Sequence, residues 1–219
     1  LIDRIVCLQS TDHGKSWTNG SYTCLNVKKA QDKHCVAVDP NTNALYVTWT
    51  QFDKYKSKKP SDRSSIQFSK STDGGKTWTA AKKINQIDGD CLDGDNTTEG
   101  AVPTVGPNGE VYVAWAGPRG LTFDRSLDGG ETWLDQDIQI DPMPTGWDYQ
   151  VPGIYRANGL PITACDRTGG PHHGTIYVNW SDQRNGADNT DVWLAKTTAQ
   201  GKTRSAPIQV NNDGTERHQ

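Results

Sequence analysis

Acidic side chains are concentrated in one short segment of the chain. Asp88, Asp90, Asp93 and Asp95 lie within eight residues, and Glu99 follows closely. Carboxylate oxygens are the ligands that hard cations such as Ca²⁺ prefer, but the fifth and sixth positions of the segment do not fit an EF-hand loop. The four aspartates therefore predict either a Ca²⁺ site of another kind or a solvated acidic loop. No other cofactor is expected to be required.

Two arginines occur where they could hold an anionic group. Arg184 follows Asp182 in a polar segment, and Arg119 stands at the tip of a Gly-Pro-Arg-Gly turn. A guanidinium group binds a carboxylate through two parallel hydrogen bonds. Each arginine therefore predicts either a clamp for a substrate carboxylate or an ion pair within its own loop.

One tryptophan lies in a polar loop. Trp147 precedes Asp148 and Tyr149, and it is the only one of the eight tryptophans outside the repeated motifs and strands described next. An exposed indole ring suits stacking on a sugar ring. The sequence predicts that Trp147 and Asp148 contact a glycan or, alternatively, that Trp147 anchors its own loop.

Internal repeats define the scaffold that must position these side chains. An S-x-D-x-G-x-T-W motif occurs three times, a degenerate fourth copy follows, and the copies start 61, 55 and 71 residues apart. Strands and hairpin signals precede each copy, so that each repeat reads as four strands, the pattern of a β-propeller blade. The sequence thus predicts a single partial propeller domain over 1–219. Its parts are a half blade at 1–30, blades at 31–86, 87–141 and 142–211, and a tail at 212–219.

The repeated motif resembles the Asp box, or BNR repeat, of the sialidase-like superfamily, which xyloglucanases and sortilin-type receptors share. The resemblance implies an all-β propeller of six blades, of which about three and a half are present here. The remaining blades would belong to the same polypeptide, and a four-bladed ring completed by a partner is the alternative. The aspartate of each box can accept hydrogen bonds within its turn, and the tryptophan packs on a blade. Six residues are therefore expected to be structural, namely Asp12, Trp17, Asp73, Trp78, Asp128 and Trp133.

Propeller topology predicts which loops can carry out chemistry. Loops between the second and third strands share one face with the connections between blades, whereas the Asp boxes lie on the other face. Long loops on a rigid scaffold tend to carry function. Glu99 enters the innermost strand of its blade, and Arg156 lies on an innermost strand predicted at 153–164. Both side chains are expected to face the central channel, and Glu99 is the predicted catalytic carboxylate.

The resemblance also implies an activity. Sialidases are glycosidases with a tyrosine nucleophile, and the family uses an aspartate as acid/base and three arginines to hold the sialate carboxylate. The expected function is a secreted exo-glycosidase acting on terminal acidic sugars. The alternative is a non-catalytic propeller that binds a glycan or a protein at a surface. The family's Arg-Ile-Pro motif has no match here, and the catalytic candidates are Glu99, Arg184, Asp182, Arg156 and Tyr149.

Charge and cysteine content limit the partners and the location. A net charge of −3 gives no reason to expect nucleic acid, and no apolar run is long enough for a transmembrane segment. The five cysteines lack metal-binding spacing, although Cys7 and Cys24 could form a cross-strand disulfide. The resemblance implies a glycan or glycoconjugate partner and a secreted, periplasmic or cell-surface location.

Overall fold

The computed structural model describes residues 2–212 and 218, and it is built from antiparallel strands. The one helical element among the described residues is a 3₁₀ turn at Ala199–Gly201. No helix in this part of the chain is long and apolar enough to cross a membrane. The prediction of an all-β fold made of four-stranded blades is confirmed. Of the predicted tail, residues 213–217 and 219 lie outside the described residues.

Five sheets follow one another along the chain. The first pairs β1 (Ile5–Cys7) with β2 (Ser21–Thr23). The first complete blade has the spatial order β3 (Ala30–Val38), β4 (Leu45–Phe52), β5 (Ser64–Ser71) and β6 (Lys82–Lys83). The second has β7 (Glu99–Val105), β8 (Val111–Gly117), β9 (Gly120–Ser126) and β10 (Ile138–Asp141).

A hairpin and a third blade complete the order. The hairpin consists of β11 (Asp148–Val151) and β12 (Ile154–Asn158). The third blade contains β13 (Ile162–Cys165), β14 (Ile176–Asp182), β15 (Asp191–Thr198), β16 (Thr203–Arg204) and β17 (Ile208–Gln209), the last two both pairing with β15. The prediction of one strand at 153–164 is wrong, because the chain leaves β12 at Gly159 and starts a new sheet. A side chain at Gly159 would collide with the Ser181 carbonyl oxygen.

The cores lie between successive blades. Trp49, Trp115 and Trp180 occupy equivalent places on the second strands and are almost fully buried. Every residue of β8 is buried, because this strand is central in its sheet and is covered on both faces. The recurring strand motif therefore supplies the tryptophans that fill the space between blades.

The repeated turns are held by their aspartates. Asp73 accepts hydrogen bonds from Ser71 Oγ at 2.8 Å, from the Thr77 amide at 2.9 Å and from Thr77 Oγ1 at 2.6 Å. The turns of Asp12 and Asp128 repeat these bonds. Hydrogen bonds from Ser16 and Ser10 lower the pKa of Asp12 to about 2, so its carboxylate stays ionised.

The tryptophans of these turns pack on the preceding sheet. Trp133 meets Phe68 of the preceding blade edge to face at 5.0 Å, and Trp78 Nε1 donates a hydrogen bond to Ser21 Oγ on β2 at 2.9 Å. Trp17 differs, because its side chain is 60% exposed. The expectation that Trp17 packs on a blade is corrected, since no sheet in the described part of the chain precedes the β1–β2 pair.

The five cysteines are free thiols. Cys7 stands opposite Ser21 in the β1–β2 register, whereas Cys24 follows the end of β2. The two cysteines are therefore not opposite one another, and the cross-strand disulfide is not formed.

The close approach of one turn to its neighbour gives a stability prediction. Gly130 has a φ of 93°, and a Cβ atom there would lie 2.3 Å from Phe68 Cζ. Gly169 has a φ of 76°, with no atom within 4 Å of such a Cβ. Gly130→Ala should lower the free energy of unfolding by about 3 kcal/mol, and Gly169→Ala by about 1 kcal/mol, because the second substitution strains only the backbone. Equal losses in urea denaturation would contradict this explanation.

Candidate functional site

The innermost strands β3 and β7 lie side by side and begin at the face opposite the repeated turns. Lys33 near the start of β3 places Nζ 2.8 Å from Oε2 of Glu99, the first residue of β7. Both positions are irregular: the β3–β4 register shifts between Asp32 and Cys35, and the β7–β8 register shifts immediately after Glu99. Such irregularities re-aim side chains at sheet ends. Here they bring a lysine and a glutamate from two blades together.

Asp93 contacts Lys33 and two further groups at the same place. Its Oδ1 accepts a hydrogen bond from Arg156 Nη2 at 2.7 Å, and its Oδ2 accepts one from the Tyr55 hydroxyl at 2.5 Å. Lys33 Nζ lies 3.8 Å from the same carboxylate. The side chains of Lys33, Tyr55, Asp93, Glu99 and Arg156 form what we call the central cluster.

Burial sets the protonation of the cluster. The Glu99 side chain is fully buried, and Oε1 has no hydrogen-bond partner among the described residues. Burial raises the pKa of Glu99 to about 7; Lys33 opposes this shift, whereas Asp93 and Asp32 add to it. The hydrogen bond to Asp93 raises the pKa of Tyr55 to about 12. Glu99 therefore changes charge near neutral pH, while the phenol keeps its proton and directs it at Asp93.

A second pair of carboxylates lies beside the cluster. Asp95 Oδ1 accepts the Asp148 amide at 2.8 Å, and this contact needs Gly146, because a Cβ there would lie 2.1 Å from the Asp95 carboxylate. Partial burial raises the pKa of Asp148, and the charges of Asp95 and Asp93 add to this shift. An adjoining cavity of about 330 Å³ is lined by Asp95, the glycines and prolines of two loops, and Trp147.

The acidic segment does not form the expected metal site. Asp88 pairs with Lys83 at 3.0 Å, and Asp90 accepts the Thr97 hydroxyl at 2.7 Å. Asp93 and Asp95 point to the partners named above. No group of three or more His, Cys, Asp or Glu side chains converges on a cation position within the described residues. The metal site predicted at Asp88, Asp90, Asp93 and Asp95 is thus corrected, because these carboxylates fix the loop and the cluster instead.

Arg184 and Asp182 form a buried ion pair. Arg184 Nη2 lies 2.5 Å from Asp182 Oδ2 and 2.7 Å from Oδ1 of Asp141 at the end of β10. The guanidinium group stacks over the Trp193 ring, 4.4 Å from its centroid. Of the two predictions made for Arg184, the structure agrees with the ion pair within its own loop. The same guanidinium group also contacts Asp141 of the neighbouring blade. The catalytic assignment of Arg184 and Asp182 is corrected, since their charged atoms are already engaged with one another.

Three other predicted residues lie away from solvent or away from the cluster. Trp147 is 1% exposed and packs with Met143 in the core between blades, so it cannot stack on a ligand and the loop-anchor alternative fits. Tyr149 is buried, with its hydroxyl 2.7 Å from Ser181 Oγ, and therefore does not fit a nucleophile. Arg119 is exposed at its turn and forms no ion pair among the described residues.

The sequence predictions missed two members of the cluster. Tyr55 lies in a lysine-rich loop, and nothing in its spacing marks it. Lys33 lies near the start of the first strand of its repeat, as Glu99 does in the next repeat, so an alignment of the two repeats could have indicated it. Glu99 and Arg156 do meet in the cluster, although Arg156 reaches it from β12 rather than from an innermost strand.

Comparison with known proteins identifies the class of fold. No family model and no curated protein matches the sequence. Among solved structures, the chain is similar to a Hadza microbial sialidase (16% identity over 92% of this chain, TM-score 0.56). It is also similar to the NanB sialidase from Streptococcus pneumoniae (10% over 98%, TM-score 0.60) and to a protein of unknown function from Dyadobacter fermentans (16% over 96%, TM-score 0.61).

These similarities concern the fold. At such identities they show that the described chain has the β-propeller architecture of sialidases, and they assign no activity. The chain spans 39%, 47% and 53% of the length of those three structures, respectively.

Proposed function

We propose that this protein is a sialidase-like glycan-processing protein, an exo-glycosidase for terminal acidic sugars, and that the central cluster is part of its active site. The observation that carries the proposal is the hydrogen bond from the Tyr55 hydroxyl to Asp93, which Arg156 also contacts, beside the buried Glu99. The resemblance of the repeated turns to Asp boxes supports the same class. The proposal includes a secreted, periplasmic or cell-surface location.

Each member of the cluster has a role in the proposed reaction. The Tyr55 oxygen attacks the anomeric carbon while its proton passes to Asp93, and the bond to the leaving oxygen breaks. Asp148, whose pKa is raised, supplies the proton that the leaving oxygen needs. Water then attacks the anomeric carbon and the bond from that carbon to the Tyr55 oxygen breaks. Asp148 accepts a proton from the water, and Asp93 returns its proton to the Tyr55 oxygen, so that both carboxyl groups and the phenol regain their starting states.

The remaining members act on charge and position. Arg156 keeps a half-exposed guanidinium group that can face a substrate carboxylate. The Glu99 side chain is fully buried and cannot touch substrate, so the prediction that it is the catalytic carboxylate is corrected. It is a positioning residue, because its charge determines how strongly it holds the ammonium group of Lys33. That group lies between Glu99 and Asp93.

A non-catalytic glycan-binding module is the second candidate. It is favoured by the pairing of both cations of the cluster, since Lys33 contacts Glu99 and Arg156 contacts Asp93. Paired cations bind a further anion less strongly than free ones, which suits a surface that recognises a glycan without holding a transition state.

Turnover by the full-length protein tests the proposal. With a fluorogenic sialoside and a panel of other glycosides, Tyr55→Phe should lower kcat by about 100-fold or more, because the nucleophile is lost. Tyr155→Phe is the matched control, since Tyr155 is fully exposed and should leave kcat unchanged. Wild-type turnover that survives Tyr55→Phe would contradict the proposed role. Glycan binding without any turnover, lost in Arg156→Ala, would favour the binding module.

A further inference from the structure

The β4–β5 loop is strongly basic in a chain of net negative charge. Between positions 54 and 63 it has five basic residues and one acidic residue, whereas the whole chain has a net charge of −3. This loop lies on the face opposite the repeated turns, because it joins the second and third strands of its blade. We call the segment 54–63 the lysine loop.

Its lysines are free of counter-charges. They are exposed, and none of them forms an ion pair among the described residues; they are Lys54, Lys56, Lys58 and Lys59. Other lysines on the same face do have acidic partners, as Lys33 has Glu99 and Lys83 has Asp88. The lysine loop is therefore a patch of uncompensated positive charge.

The backbone of the loop is fixed by hydrogen bonds. The Lys56 amide donates to the Cys91 carbonyl at 2.7 Å, and the Arg63 amide donates to Asp53 Oδ2 at 2.9 Å. The Ser57 amide donates to the Lys54 carbonyl at 3.0 Å. Because the backbone is held in this way, binding an anion would order only the lysine side chains.

The lysine loop adjoins the central cluster. Tyr55 is part of both, since its hydroxyl contacts Asp93 while Lys56 Nζ lies over its ring, 5.4 Å from the centroid. The basic patch therefore begins at the rim of the proposed active site and continues away from it along the loop. A ligand longer than one sugar could contact both.

We propose that the lysine loop binds the continuing chain of an acidic polysaccharide, one that has carboxylate or sulfate groups on successive units. This rests on the proposed function, which places a terminal acidic sugar at the cluster. Repeated anions would meet successive lysines, and the attraction would raise the local concentration of polymer at the site.

The aromatic content of the loop favours a polysaccharide over a single-stranded nucleic acid. Proteins that bind single strands stack the bases on exposed aromatic rings. Tyr55 is the one aromatic residue of the loop; its ring packs against Phe52 at 5.2 Å, lies under Lys56 and has its hydroxyl engaged. The loop thus offers charge without a stacking surface.

Direct binding measurements on the full-length protein test this proposal. The loop variant is Lys54→Gln/Lys58→Gln/Lys59→Gln. The matched control removes the same charge from exposed lysines at the opposite face, as Lys15→Gln/Lys76→Gln/Lys202→Gln. Calorimetry measures the binding of four ligands: polysialic acid, heparin, a monomeric sialoside and a single-stranded DNA oligomer. Thermal unfolding of both variants, which should be the same because all the replaced lysines are exposed, serves as the control for folding. No turnover is needed, so a failure of the proposed activity leaves this test intact.

At about 50 mM salt, we expect the Kd for polysialic acid, heparin or both to be about tenfold higher for the loop variant than for the control. At about 500 mM salt this difference should vanish, because salt screens the charges of the lysines. The monomeric sialoside should bind both variants equally. Binding of polysialic acid alone would identify carboxylates as the recognised anions, and binding of heparin alone would identify sulfates. Equal polysaccharide binding by the two variants would overturn the proposal, as would loop-dependent binding of DNA at least as tight as that of both polysaccharides.

Discussion

Replacing Arg184 with alanine should lower the free energy of unfolding by about 3–5 kcal/mol, because the change leaves two buried carboxylates without their counter-charge. Asp182 is fully buried and Asp141 nearly so, and Arg184 is the cation that contacts both. The substitution also removes the stacking on Trp193. Denaturant unfolding monitored by tryptophan fluorescence measures the loss.

The control for Arg184 is an arginine without such contacts. Arg167 is exposed and has no ion pair among the described residues, so Arg167→Ala should change stability by less than about 0.5 kcal/mol. If Arg184→Ala were as mild as Arg167→Ala, the ion pair would not hold the second and third blades together. If Arg184→Ala kept its stability but lost sugar turnover, the result would instead support the prediction that Arg184 binds a substrate carboxylate.

Replacing Lys33 with methionine should destabilise the protein in a manner that depends on pH. At pH values well above 7 Glu99 is ionised, and without Lys33 its buried charge has no cation in contact, which costs about 3 kcal/mol or more. At pH 5 Glu99 is protonated and the loss should be small. Thermal unfolding of wild type and variant from pH 5 to pH 9 measures the difference.

The sign of the pH effect follows from the direction of the shift. The folded pKa of Glu99, about 7, lies above its ordinary value of 4.5, so its contribution to stability is complete below that ordinary value and is lost as pH rises through 7. Burial also raises the pKa of Asp124 to about 7. Its effect on the pH dependence of stability is the same in wild type and in Lys33→Met, so it cancels in the difference between them. The double variant Lys33→Met/Glu99→Gln should recover stability at high pH. A loss that is the same at pH 5 and pH 9 would contradict the pairing.

The fold could be predicted because it is repeated. Each copy of the turn motif specifies an aspartate that accepts backbone hydrogen bonds, and each second strand specifies a tryptophan that fills the space between blades. Because these patterns are local and repeated, they can be recognised without knowledge of the rest of the chain. The strand predicted at 153–164 was wrong, since the hairpin at β11–β12 belongs to no repeat and its break at Gly159 depends on a carbonyl from β14.

The site was only partly predictable. Glu99 could be found because its position in the repeat places it at an innermost strand. Tyr55 could not, because its partner Asp93 is 38 residues away and meets it only in the folded chain. Arg184 and Trp147 are residue types that occur in sugar-binding sites, but both are at least partly buried in the folded chain and have structural roles. The sequence does not show this, because the burial of a loop residue depends on which other loops pack over it.

A structure of the full-length protein with a bound acidic glycan tests the central claim most directly. The proposal predicts a sugar ring at the central cluster, with its carboxylate in contact with Arg156 and its anomeric carbon next to the Tyr55 hydroxyl. A glycan bound at the face of the repeated turns, or on the same face without contact to Tyr55 and Arg156, would contradict it.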